Sequence, residues 1–159
     1  MLSHYSIDAQ TINYSVHANI IYHFTKYINW PADKKSGDFT IGVIGDISLT
    51  EELKETTLNK MVGTQRIVIK QLNVNQASYN CNILFISEEE TKNIRKIIDK
   101  TQRSPILIIT ESVDVSSKNY CINMIIENEH LKLLFNKENI FNKNLQIASE
   151  LLALGVIVD

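Results

Sequence analysis

The run Ile20 to Pro31, IIYHFTKYINWP, constrains this chain more than any other stretch. Val16, Ile20, Phe24 and Tyr27/Ile28 recur at helical spacing, with His17 and Ile21 beside them. A long amphipathic helix laid against a core is therefore expected over about 13–29. Pro31 ends it, because proline has no amide hydrogen for a continuing helix and disfavours helical geometry at Trp30, the only tryptophan. A strand-like run follows within ten residues, so the helix has a sheet to cover.

From there the pattern alternates. Residues 1–12 are polar and weakly patterned, a loose entry segment, and 13–159 read as one domain without repeats or linkers. Phe39 to Ile44 (FTIGVI) is a short apolar run suited to a buried strand. Gly45-Asp46 is a turn, with Asp46 or Ser48 placed to cap a helix over about 48–60. Gln65 to Leu72 alternates as a second strand, with Ile67, Ile69 and Leu72 inward. After a loop too weakly patterned for a crossover helix, Asn82 to Ile86 (NILFI) is a third strand. Ser87 with Glu88, Glu89 and Glu90 then reads as a capped helix start, with Ile94, Ile97 and Ile98 inward. Pro105 to Thr110 is a fourth strand, and Tyr120–Ile126 with His130–Phe135 an antiparallel hairpin. The end reads as helical, with Ile140, Phe141, Leu145, Ile147, Leu151, Leu152 and Leu154 as core residues.

Strands alternating with helices, joined by right-handed crossovers, give an α/β fold of three layers. The sheet should be doubly wound and mostly parallel, of order 2-1-3-4, ending in the hairpin. Ile20, Phe24, Ile41, Val43, Leu84, Phe85, Leu107 and Ile109 should be buried, since central parallel strands are covered on both faces.

Composition narrows the function classes. A net charge of −2 leaves no electrostatic footprint for nucleic acid or an anionic membrane. No stretch reaches the ~18 apolar residues of a transmembrane helix. The start, MLSHYSIDAQTIN, lacks the basic and apolar regions of a signal peptide, so the chain is either cytoplasmic or a mature form whose leader Met1 replaces.

Chemistry-bearing residues are sparse. Ligands of such sheets bind at strand carboxyl ends, where Asp46, Ser87/Glu88 and Thr110/Glu111 fall. An acidic pair there could hold Mg²⁺ or accept a phosphoryl group, as in response-regulator receivers, but Glu111-Ser112-Val113 stands where a receiver needs a lysine. The simpler reading makes Asp46 and Ser87 helix caps and leaves Glu111 solvated. Gly42-x-x-Gly45 is only a fragment of a phosphate-binding fingerprint. His17 and His23 are six apart, off the spacing of a helical metal pair, and His4 and His130 stand alone. No catalytic, cofactor or metal residues are assigned. Cys81 and Cys121 are either two buried thiols or one disulfide.

The landmarks together carry a resemblance. IIYHFTKYINWP (20–31), FTIGVIGD (39–46), CNILFIS (81–87), SPILIITES (104–112), INMIIENEHLKLLFN (122–136) and LQIASELLALG (145–155) resemble the YfiR-like family, in order and over about residues 14–155. The resemblance implies a periplasmic, non-enzymatic, dimeric regulator without a cofactor. Its partner would be the periplasmic domain of an inner-membrane diguanylate cyclase controlling cyclic di-GMP output, or a sensor kinase. Family members carry disulfides; here the resemblance can imply only a Cys81–Cys121 pair, since Lys132 to Leu152 holds no cysteine. A regulator needs apolar anchors on its surface, and the Trp30-Pro31 corner and the hairpin from Tyr120 to Phe135 are the candidates, the plainer reading of Trp30 being that it plugs the end of the core. A small-ligand sensor and a receiver- or flavodoxin-like enzyme are the alternatives.

Overall fold

Helix α1 (Tyr14–Tyr27) forms where the apolar periodicity places it, and the Asn13 side chain caps it by accepting the Ser15 amide. The computed structural model describes residues 13–114 and 118–158; the entry segment expected at 1–12 lies outside them. The buried face of α1 is turned from the expected one. Tyr14, His17, Ala18, Ile21, Phe24 and Thr25 are buried, whereas Val16 and Tyr27 are exposed and Ile20 is half-buried. Both stripes are apolar at helical spacing. The buried one contains Tyr14 and His17, which meet a polar partner inside the protein.

Beyond α1 come a two-residue strand β1 (Ile28–Asn29), the Trp30-Pro31 corner and a 3-10 turn. Strand β2 (Phe39–Ile44) is buried at all six positions. Helix α2 (Ile47–Thr56) starts at Asp46, whose side chain accepts the Ser48 amide as expected. A hairpin of β3 (Met61–Val62) and β4 (Gln65–Leu72) follows. Next are β5 (Ile83–Ile86), a 3-10 segment (Glu88–Asn93) continuing as α3 (Ile94–Asp99), and β6 (Leu107–Thr110). The chain closes with β7 (Ile122–Glu127), β8 (His130–Asn136), α4 (Lys137–Asn142), β9 (Gln146–Ile147), α5 (Ser149–Leu152) and β10 (Val156–Val158).

The main sheet runs β3-β4-β2-β5-β6-β7-β8-β10. Its heart, β4-β2-β5-β6, is the expected 2-1-3-4 order, and all of its pairings are parallel. The antiparallel hairpin β7–β8 extends it, turning through Asn128 (φ 53°) and Glu129 (φ 67°). Phe24, Ile41, Val43, Leu84, Phe85, Leu107 and Ile109 are fully buried. Opposed right-handed crossovers set α2, packed with α1, on one face of the sheet and α3 on the other.

Three further expectations are corrected. The C-terminal region is not one helix: Asn144, in the left-handed region at φ 59°, stops α4, and the chain then alternates β9, α5, β10. Phe141 and Leu154, expected in the core, are exposed. Ser87 does not cap the helix after β5 with its side chain, because its hydroxyl is engaged elsewhere.

Candidate functional site

At the carboxyl ends of the parallel strands, the fold's usual ligand site, the first turn of α1 lies across Glu111. Tyr14 Oη donates to both Glu111 oxygens, at 3.0 and 3.3 Å, and the Glu88 amide donates to Oε1 at 3.1 Å. His17 Nε2 stands 4.0 Å from Glu111 Oε2, and the buried His17 Nδ1 has no hydrogen-bond partner among the described residues. Glu111 is therefore not solvated as the sequence suggests; it is only 7% exposed, because these donors replace water around it. Burial pushes its carboxyl above the ordinary value, the Glu88 amide and Tyr14 hydroxyl hold it back, and the nearby Asp46 and Glu88 charges add to the rise. Burial likewise holds His17 below its ordinary value.

The remaining groups at this end tie strands together. The Asp46 amide donates to Ser87 Oγ at 2.7 Å, and Thr110 Oγ1 donates to Asn123 Oδ1 at 2.7 Å. Gly45 (φ +116°) sits so close that a Cβ there would meet Ser87 Cβ at 2.4 Å. Among the described residues no three His, Cys, Asp or Glu side chains converge as a metal site. His23 and His130 are exposed, and His4 lies outside the described residues.

The cysteines are both buried and free. The registers Leu84↔Ile108 and Ile109↔Ile122 set Cys121 level with Leu84, two strands across from Cys81 and three residues along. That geometry separates their Cα atoms by roughly 14 Å, about twice the ~7 Å reach of a disulfide. The pairing implied by the resemblance is not formed. Burial raises both thiols, Cys81 to about 12 and Cys121 to about 11, so neither is a ready nucleophile.

Of the four residues considered as partner anchors, Trp30, Tyr120 and Phe135 are buried and only Pro31 is half-buried. Trp30 plugs the core: its Nε1 donates to the Asn82 carbonyl at 3.1 Å, and its ring meets Phe39 edge-on with centroids 4.9 Å apart. Tyr120 and Phe135 lie where β6, β7 and β8 pair, with the Cys121 amide donating to Ile108 and the Asn136 amide to Cys121. They anchor the monomer's own sheet.

The Trp30 corner nevertheless borders a groove of about 760 Å³ at the amino-terminal end of the sheet. Its walls are the last turn of α1, the Val62–Gln65 hairpin turn and the ribbon in which β1 pairs with β9. Asn29 Nδ2 donates to Gln146 Oε1 at 3.2 Å and the Ala148 amide to Tyr27 O at 2.9 Å, holding the ribbon against the helix end. Ile28, Trp30, Phe39, Val62 and Ile147 supply apolar walls, Lys26 and Lys35 stand at the rim, and no carboxylate of the described residues lines it. Reading the sequence located the Trp30 corner but not the other walls, because two-residue strands leave no periodicity.

The YfiR/HmsC-like family model matches residues 14–156. No curated protein matches the chain. Among the described residues no helix is long and apolar enough to cross a membrane. The chain belongs to the YfiR/HmsC-like family.

Proposed function

We propose that this YfiR/HmsC-like protein is a periplasmic regulator without a reaction of its own, acting as a homodimer on an inner-membrane signalling protein. The partner is the periplasmic portion of a diguanylate cyclase, whose cyclic di-GMP output the regulator controls. Family membership supports the regulatory role and its place in this signalling. The structural observation that carries the reading is the groove: an apolar hollow that the monomer leaves unfilled, with a positive rim. An apolar anchor of the partner fits its floor, and a neighbouring carboxylate would meet Lys26 or Lys35.

Titrating the cyclase's periplasmic portion against the immobilised protein tests this. Tyr27→Ala and Lys35→Glu, at exposed groove positions, should each weaken binding about tenfold, near 1.4 kcal/mol, with unchanged thermal stability. Wild-type affinity in both variants would remove the groove from the reading. Unchanged cyclic di-GMP in cells lacking the protein would remove the cyclase. The groove's volume also suits a small ligand. In that second reading a carboxylate-bearing compound stabilises the wild-type protein but neither variant, and no partner protein binds.

A further inference from the structure

The strand edge of β4 has an open ladder. Its neighbour β3 pairs only through Met61↔Arg66 and Val62↔Gln65, and Asn59 (φ 62°) turns the preceding chain away. The amides of Asn82 and Ser87 donate to the carbonyls of Thr40 and Ile44, so even-numbered residues of β2 face β5 and odd-numbered ones face β4. With Phe39 level with Ile67, parallel pairing directs Val68, Lys70 and Leu72 toward β2. The backbone of Ile67 also points outward, but its N–H falls opposite the Lys60 carbonyl beside the Met61↔Arg66 pair, so the open part of the edge is the N–H and C=O groups of Ile69 and Gln71, with which no strand of the described residues pairs.

The side chains along this edge are apolar and basic. Ile67, Ile69, Leu58 and Met61 line a hollow of about 650 Å³ together with Lys54, Lys60 and Arg66. Leu58 is 70% and Met61 53% exposed, and Lys70 adds a further exposed cation on the strand. Among the described residues two exposed ion pairs involve these cations, Glu51 with Lys54 at 3.8 Å and Asp38 with Arg66 at 3.6 Å, and Asp33 and Asp38 share a small polar hollow with Lys70.

We propose that the outer edge of β4 is a docking site for an extended, acidic strand of a partner protein, which completes the ladder at Ile69 and Gln71. Alternate side chains of such a strand would enter the hollow beside Leu58 and Met61, and its acids would face Arg66 and Lys70. A second copy of this edge is the wrong occupant, because pairing would set Arg66 and Lys70 against their own like charges. Lipid headgroups would meet the cations but leave the alternating backbone donors and acceptors unpaired. The site is separate from the groove and does not depend on which signalling protein the groove binds.

The test uses the whole ¹⁵N-labelled protein and a capped decapeptide alternating glutamate with valine. Saturating peptide should slow exchange of the Ile69 and Gln71 amides at least tenfold, leaving the already paired Val68 and Lys70 amides unchanged. The exposed double reversal Arg66→Glu/Lys70→Glu should weaken binding at least tenfold, and Lys70→Glu alone, expected to weaken it severalfold, provides the same test should the double variant fold poorly. A lysine–valine decapeptide should not bind. Unprotected outward amides, equal binding of the lysine peptide, or undiminished binding by the folded reversals would overturn the proposal. Binding to phosphatidylglycerol vesicles without any binding of the acidic peptide would also overturn it, in favour of a lipid-facing surface.

Discussion

Replacing Trp30 separates its two possible roles, core plug and partner anchor. The residue is 4% exposed, makes one hydrogen bond through Nε1 and packs edge-on against Phe39. Trp30→Ala removes a buried indole, worth about 3–5 kcal/mol, within which the aromatic pair accounts for about 0.5–1.5 kcal/mol. Trp30→Phe should be much milder. The Asn82 carbonyl that accepts from Nε1 also accepts the Leu107 amide at 2.9 Å, so losing the indole donor leaves no buried acceptor unsatisfied. Only the net bond, about 0.5–1.5 kcal/mol, and a small volume change are lost. Against a total stability of about 5–15 kcal/mol, the alanine variant should be visibly less stable at 25 °C. Urea unfolding followed by far-UV circular dichroism measures both variants, since the fluorescent probe itself is removed. Leu84→Ala in the centre of β5, expected to cost about 2–5 kcal/mol, calibrates the scale. An alanine cost below about 1 kcal/mol with a tenfold loss of partner affinity in the phenylalanine variant would refute the plug and restore Trp30 as an anchor.

Three further outcomes are expected. Alkylation of the denatured, non-reduced protein should label both Cys81 and Cys121, since both are free in the fold; an unlabelled pair would contradict the register between them. Glu129→Gly should stabilise by about 1 kcal/mol, because Glu129 sits in the left-handed region at φ 67° in a two-residue hairpin turn; a loss of stability in urea would contradict that. Burial raises the folded-state pKa of Glu111, so protonating it favours the folded state, and its contribution is lost as pH rises through that value. The stability of wild type minus Glu111→Gln should therefore increase as pH falls from 7 toward 5, and a constant difference between urea curves would refute the buried carboxylate.

The parts of the fold that could be read from sequence are those set by local patterns. Continuous apolar runs at 39–44, 82–86 and 105–110 identified central strands, and crossover handedness ordered them around β2. Asp46 was identifiable as a cap because capping involves neighbours only two residues apart. The fate of Glu111 was not legible, since its hydroxyl donor Tyr14 lies 97 residues away and only the packed helix brings them together. The buried face of α1 was ambiguous for the same reason: two overlapping stripes satisfy the same periodicity, and tertiary packing chooses. The groove escaped because Gln146–Ala148 reads as part of a C-terminal helix until Asn144 turns the chain and β9 finds β1.

Helix α1 links these observations. Fourteen residues span about 21 Å, close to the ~20 Å length of the six-residue β2. Its first turn therefore reaches Glu111 at the carboxyl end while its last turn walls the groove at the amino end. The groove in turn shares the β3–β4 hairpin with the open edge: Val62 to Gln65 line one, and Met61 and Arg66 the other. If one partner occupies both surfaces, tethering makes the second contact effectively intramolecular. Tyr27→Ala in the groove and Lys70→Glu on the edge should then couple when combined, with the pair departing from the sum of the singles by more than about 0.5 kcal/mol in binding free energy. Strict additivity for the natural partner would separate the two surfaces and assign each its own ligand.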